Sequence, residues 1–138
     1  MNNTTRMTAL RYALIAFGLT FFFGLVTFNE IWASGWRWGG VHSHYWPMIV
    51  GVYATLGFFL ILASRDPLAN RSLIWFTVVS SVVHALVMAG EAIMDPAERG
   101  HLVGDVPALL LVAVVLAVLT PKGATITVAK DLGARRAA

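Results

Sequence analysis

Residues 73–93 read LIWFTVVSSVVHALVMAGEAI, and the spacing of the polar side chains in this stretch decides the fold. Wound as a helix at 100° per residue, Thr77, Ser81, His84, Met88, Glu91 and, just beyond, Asp95 fall within about 40° of one direction. Val79, Val82, Val83, Leu86, Gly90 and Ile93 point the opposite way. The stretch has the length, roughly 20 residues at 1.5 Å rise, that crosses about 30 Å of hydrocarbon. Its valine side then faces lipid and its polar side turns into a bundle, because ionisable groups inside a membrane are costly without partners or water.

Working outward, three more apolar runs lie on either side, giving expected spans over residues 8–29, 46–64, 71–93 and 105–120 and a tail over 121–138. The 138-residue chain is 58% hydrophobic and only 12% charged, whereas soluble domains carry about a quarter charged residues. A soluble bundle would need a polar stripe on every helix, and residues 13–28 and 109–119 offer none. The expected fold is therefore all-α, an integral membrane antiparallel four-helix bundle. The chain has no cysteine, which excludes disulfides, thiolate metal sites and thiol catalysis. The formal net charge of +3 comes from basic residues scattered over the span ends, not clustered on one element, so no nucleic-acid partner is expected.

Arg6 and Arg11 precede the first run, Arg65 and Arg71 flank the second connection, and Lys122, Lys130, Arg135 and Arg136 follow the fourth run. These are eight of the ten basic residues, and by the positive-inside rule they put both termini and the central turn in the cytoplasm. The other side holds Arg37 and Arg99 together with Glu30, Asp95, Glu98, Asp105 and three histidines, with Glu91 at its edge. A cleaved signal peptide ending at Ala33-Ser34-Gly35 is the competing account of the first run. Its apolar region exceeds the usual length of about 7–15 residues, which favours a retained span.

The first connection carries Trp32, Trp36, Trp38, Tyr45 and Trp46 among glycines, and such rings prefer the headgroup level. Pro47 suits a first helical turn, Asn70 or Ser72 offers a cap for the third span, and Asp105 followed by Pro107 offers one for the fourth. Pro121 stops the last helix. Small residues at four-residue spacing, Gly51 with Thr55, Ala85 with Ala89 and Ala113 with Ala117, allow close helix packing within one chain or between copies.

His84 near the middle of its span carries the sharpest chemical signal. Glu91 lies two turns away, about 10 Å along the axis, so the two cannot touch directly. Tyr53, Thr55, Thr20 and Thr27 are partners available from the first two spans. The ligand or relay candidates are His84, Glu91, Ser81, Thr77, Tyr53 and Asp95, and the outer-face candidates are His42, His44, His101 and Asp105. A mid-membrane imidazole can ligate haem or a metal, with His42, His44 or His101 to complete a site, but no ligand spacing here is diagnostic, so no metal ligand is assigned and the cofactor is unknown, haem or metal being the weaker alternative. Packing alone accounts for a lone intramembrane histidine that bonds a serine, a tyrosine or a carbonyl across helices, at about 0.6 kcal/mol. The outer histidines fit interfacial anchors, and Glu98-Arg99 fits a local ion pair.

The stretches Gly51-Val52-Tyr53-Ala54-Thr55-Leu56-Gly57, Asn70-Arg71-Ser72-Leu73-Ile74-Trp75-Phe76-Thr77, Ser80-Ser81-Val82-Val83-His84 and Gly100-His101-Leu102-Val103-Gly104-Asp105-Val106-Pro107 are specific combinations. Through them residues 48–121 resemble a family of small uncharacterised bacterial four-span integral membrane proteins, with a looser fold analogy to DoxX-like proteins. The resemblance implies a bacterial inner membrane location and no assigned reaction. The expected function is a non-catalytic accessory subunit or homo-oligomer in contact with membrane lipids or a larger membrane complex, binding a lipophilic ligand in an outward-facing cavity beside His84. Two alternatives are a membrane enzyme acting on a lipid-like or quinone-like substrate through His84 and Glu91, and a small transporter or proton-conducting oligomer.

Overall fold

A computed structural model describes residues 2–36 and 44–121, and they are helical, with no strand among the described residues. Helix α1 (Asn3–Leu19) runs through a π-helical turn (Thr20–Gly24) into α2 (Leu25–Ile31), so that the three form one continuous rod. A 3-10 turn (Ala33–Gly35) follows, then α3 (Tyr45–Ala63), α4 (Arg71–Met94), a 3-10 segment (Pro96–Leu102) and α5 (Asp105–Leu119). Four stretches, Asn3–Ile31, Tyr45–Ala63, Arg71–Met94 and Pro96–Leu119, are long and apolar enough to cross a membrane. The first begins at Asn3, ahead of residue 8, because the Asn2 side chain caps it, Oδ1 accepting from the Thr5 N–H at 2.7 Å. Trp38, His42 and the tail from residue 122 onward lie outside the described residues.

Burial along α4 follows the polar stripe. Ile74, Thr77, Val78, Ser81, Ala85, Met88 and Ala92 are buried, while Val79, Val83, Leu86 and Ile93 are more than half exposed. The outer faces of the other helices are equally apolar, with Phe23, Val52, Leu111, Val114 and Val118 exposed. A surface of this kind would associate in water and suits helices apolar enough to cross a membrane. Inside, Leu10, Leu14, Leu60, Ile74, Val112 and Leu116 belong to one core, and Ala85, Met88, Val106 and Leu109 form a second one. The burial of Leu10 and Leu14 makes α1 part of the folded bundle.

Two contacts set the geometry of the first helix. Gly18 of α1 and Gly57 of α3 meet backbone to backbone: a Cβ on Gly57 would lie 2.5 Å from the Gly18 carbonyl oxygen, and a Cβ on Gly18 would lie 2.8 Å from that of Gly57. Only glycine permits helices to approach this closely. At the end where the chain starts, the Arg6 guanidinium donates to the carbonyl oxygens of Val118 (2.7 Å), Leu119 (3.0 Å) and Thr120 (2.9 Å). These belong to the final turn of α5, whose carbonyls have no helical partner and carry the negative end of the helix dipole. Arg6 therefore caps the last helix from the first.

Several local expectations are corrected. Asn70 holds the N-cap position of α4, its carbonyl accepting from the Ile74 N–H at 3.1 Å, but its side chain makes no cap bond: its Nδ2 donates to the Asp66 carbonyl at 2.9 Å while Asp66 Oδ1 accepts from the Ala69 N–H. The Asp66–Asn70 turn is thus closed on itself. Asp105 is the first residue of α5, not its cap, because its carboxylate is turned to His101. The Gly51–Thr55 face is exposed, and nothing lies within 4 Å of a Cβ placed on Gly51.

These contacts predict opposite signs for one type of substitution. Gly51→Ala should stabilise the protein by up to about 1 kcal/mol through helix propensity, whereas Gly57→Ala should destabilise it by about 1–3 kcal/mol through the clash with Gly18. Arg6→Ala, which strips the α5 cap, should cost about 2 kcal/mol. Unfolding of the purified protein in mild detergent measures all three, and equal effects of the two glycine substitutions would refute the crossing.

Candidate functional site

At the end of the bundle away from Arg6, the helices part around a cavity of about 770 Å³. Phe17, Phe21, Leu25 and Phe28 wall it on the α1–α2 side, and Leu109 and Val112 on the α5 side. The π-helical turn explains how one helix supplies that first wall. Residues 17, 21 and 25 are spaced by four, which in a regular α-helix drifts off one line by about 40° per step. The wider turn at Thr20–Gly24 absorbs the drift and keeps the series facing inward. Ile49, Val87 and Leu111 line the cavity and are also exposed, so its rim merges with the apolar outer surface.

Thr20, Tyr53, His84, Glu91 and Asp105 bring polar groups to this mainly apolar lining. Tyr53 Oη lies 3.2 Å from His84 Nδ1, the two rings meeting edge to face with centroids 5.6 Å apart. Phe21 packs edge-on against the other side of Tyr53 at 5.0 Å, so the tyrosine is held between an aromatic wall and the imidazole. The Thr20 hydroxyl is spent on its own helix, donating to the Ala16 carbonyl at 2.9 Å. Asp105 lines the same cavity as Tyr53 and His84.

Beneath Asp105 lies a polar chain that the sequence assigned to the surface. His101 is fully buried. Its Nδ1 is 2.7 Å from Asp105 Oδ2, a distance at which the N–H donates to a carboxylate oxygen, and its Nε2 is 3.3 Å from Glu98 Oε2. His101 is therefore a buried partner of Asp105, with Glu98 at ion-pair distance, and not an interfacial anchor. Burial comes from the Ala33–Gly35 turn, which packs so tightly on the 3-10 segment that a Cβ on Gly100 would overlap the Ser34 carbonyl and one on Gly104 that of Gly35. Two glycines four residues apart thus let one loop roof another.

The stripe of α4 is divided among three tasks. Thr77 and Ser81 are buried in the bundle, Thr77 Oγ1 donating to the Leu73 carbonyl at 2.9 Å, and neither lines the cavity. His84, Met88 and Glu91 line it, with Glu91 exposed. Asp95 is exposed and caps the 3-10 segment, its Oδ1 accepting from the Ala97 N–H at 2.9 Å. His44 is exposed at the start of α3. No group of three or more His, Cys, Asp or Glu side chains among the described residues could hold a metal ion. Sequence reasoning passed over Glu98 as part of the site, the aromatic wall and the buried Asn29, and of these only the Phe17, Phe21, Leu25, Phe28 series has a periodicity that a search would find.

The chain belongs to a family of unknown function (DUF6632), whose signature matches residues 4–137. That match takes in the first helix and the tail as well as the segment carrying the four quoted stretches. No curated protein and no solved structure matches it.

The two polar pairs should differ sharply in their contribution to stability. Tyr53→Phe removes one interhelical bond and should cost about 0.6 kcal/mol. His101→Leu leaves Asp105 without its buried imidazole partner and should cost about 3 kcal/mol or more. Thermal unfolding in detergent separates them, and a smaller loss for His101→Leu than for Tyr53→Phe would contradict the buried pair.

Proposed function

We propose that this protein is a multi-pass membrane protein that binds a lipophilic molecule without transforming it, acting as an accessory subunit or homo-oligomer. The supporting observation is the cavity: its volume lies in the range, about 300–1,000 Å³, of sites that bury a small ligand. Its walls are aromatic and aliphatic, its few polar groups converge from α3, α4 and α5, and its rim is continuous with the apolar surface. An amphiphile entering sideways from the bilayer would lay its tail along Phe17, Phe21 and Val112 and its head toward Tyr53, His84 and Asp105. The exposed Gly51–Thr55 face of α3 is suited to a second copy or a partner helix.

The membrane we propose is the bacterial cytoplasmic one, with both termini and the turn between α3 and α4 inside and the cavity toward the outer side. Support comes from the basic residues at the chain ends and the Arg65–Arg71 turn. A second function is favoured by one observation, that His84 and Glu91 line the same cavity. This is acid–base chemistry on a lipid-like substrate.

Since the chain has no cysteine, single-cysteine variants report topology directly. With an impermeant maleimide on intact cells, Ala97→Cys should label, whereas Asn3→Cys and Leu68→Cys should label only after lysis; the reverse pattern would overturn the orientation. For the ligand, native mass spectrometry of gently purified protein should show a bound amphiphile that Ala108→Phe, which fills the cavity, reduces about tenfold or more. A species equally abundant on the filled variant would rule out cavity binding. Conversion of that amphiphile by the natural protein but not by His84→Ala would establish the enzyme.

A further inference from the structure

Taking the cavity as the binding site just proposed, we infer that Asp105 selects the ligand's head, and that the head is a hydrogen-bond donor, a hydroxyl or an ammonium group. Asp105 lines the cavity and is 7% exposed. A carboxylate offers two oxygens and about four lone-pair sites. Oδ2 is engaged by His101, which fixes the side chain and supplies a proton to one oxygen only. Oδ1 is buried and accepts a hydrogen bond from no described residue. A buried acceptor left in that condition is among the more expensive features a fold can carry, and it persists most readily where a ligand completes it.

Thr20 donates to its own helix, Tyr53 faces His84 Nδ1, and Trp36, Tyr45 and Trp46 add N–H and O–H donors to the lining. Of the cavity's polar groups it is Asp105 Oδ1 that is buried without a hydrogen bond among the described residues. An ester, an ether or a quinone carbonyl, which only accept, would leave Asp105 Oδ1 as it is; an alcohol or a protonated amine would satisfy it. A charged donor gains further from the two carboxylates, Asp105 and Glu91, while a hydroxyl gains the bond alone.

The test offers the full-length protein, in detergent micelles, equal amounts of three probes sharing one tail: hexadecanol, hexadecylamine and hexadecyl methyl ether. Retention is read by native mass spectrometry. The alcohol or the amine should be retained about tenfold or more over the ether, and whichever leads identifies the head as neutral or cationic. Asp105→Asn keeps an oxygen for His101 and turns the other position into an N–H donor, so it should lose or reverse the preference. Glu91→Gln should lower the amine's retention but leave a donor ahead of the ether. Ether bound as well as both donors by the natural protein, or a preference that follows Glu91 and not Asp105, would overturn the inference while leaving the cavity a binding site. Retention of none of the three would overturn the cavity proposal itself. If Asp105→Asn does not fold, the three-probe ranking on the natural protein still decides.

Discussion

Inside hydrocarbon, burying one apolar side chain against another gains little, because lipid tails are as apolar as leucine. In the proposed membrane setting, that constraint bears on each of the four long apolar helices. What remains to hold helices together is close van der Waals approach and hydrogen bonding where no water competes. The protein uses one of each at critical places. Gly18 and Gly57 bring α1 and α3 to backbone contact, and Arg6 binds the free carbonyls of α5. With one end closed in this way, the other end is free to open, and the cavity forms there, between helices that lean apart beyond the glycine crossing.

The architecture was legible to the extent that it follows from period and length. The division of α4 into an exposed apolar face at Val79, Val83, Leu86 and Ile93 and an interior face at Thr77, Ser81 and Met88 is a matter of 3.6 residues per turn, and burial follows it. The crossing was not legible. Gly18 and Gly57 sit thirty-nine positions apart, 57 less 18, on helices whose own patterns give no sign of which glycine meets which. The small-residue pairs at Gly51 and Thr55 obey the usual spacing yet face outward. Spacing shows where a close approach is permitted, and only the partner's surface decides whether one occurs.

The site shows the same boundary between local and distant information. His84 stood out because a titratable group in mid-span is rare whatever surrounds it, and Tyr53 was within its reach as a candidate on a neighbouring span. Glu98, His101 and Asp105 were read as surface groups because they lie in a polar connection, and connections normally meet water. Their burial depends on the Ala33–Gly35 turn settling on Gly100 and Gly104, a contact between two loops separated by two entire spans. The π-helical turn is an intermediate case. The four-residue spacing of Phe17, Phe21 and Leu25 is visible, but without a cavity to face, it reads as ordinary apolar filling.

The Arg6 clamp also places the bundle's completion in time. A chain leaves the ribosome from its amino terminus, so α1 and the Arg6 guanidinium group are made before the carbonyls of Val118, Leu119 and Thr120. The contact spans well over a hundred residues of sequence, and closing so long a loop is entropically slow. The first three long helices are therefore made before this contact can close, and a nascent chain truncated before residue 118 has no means of closing it.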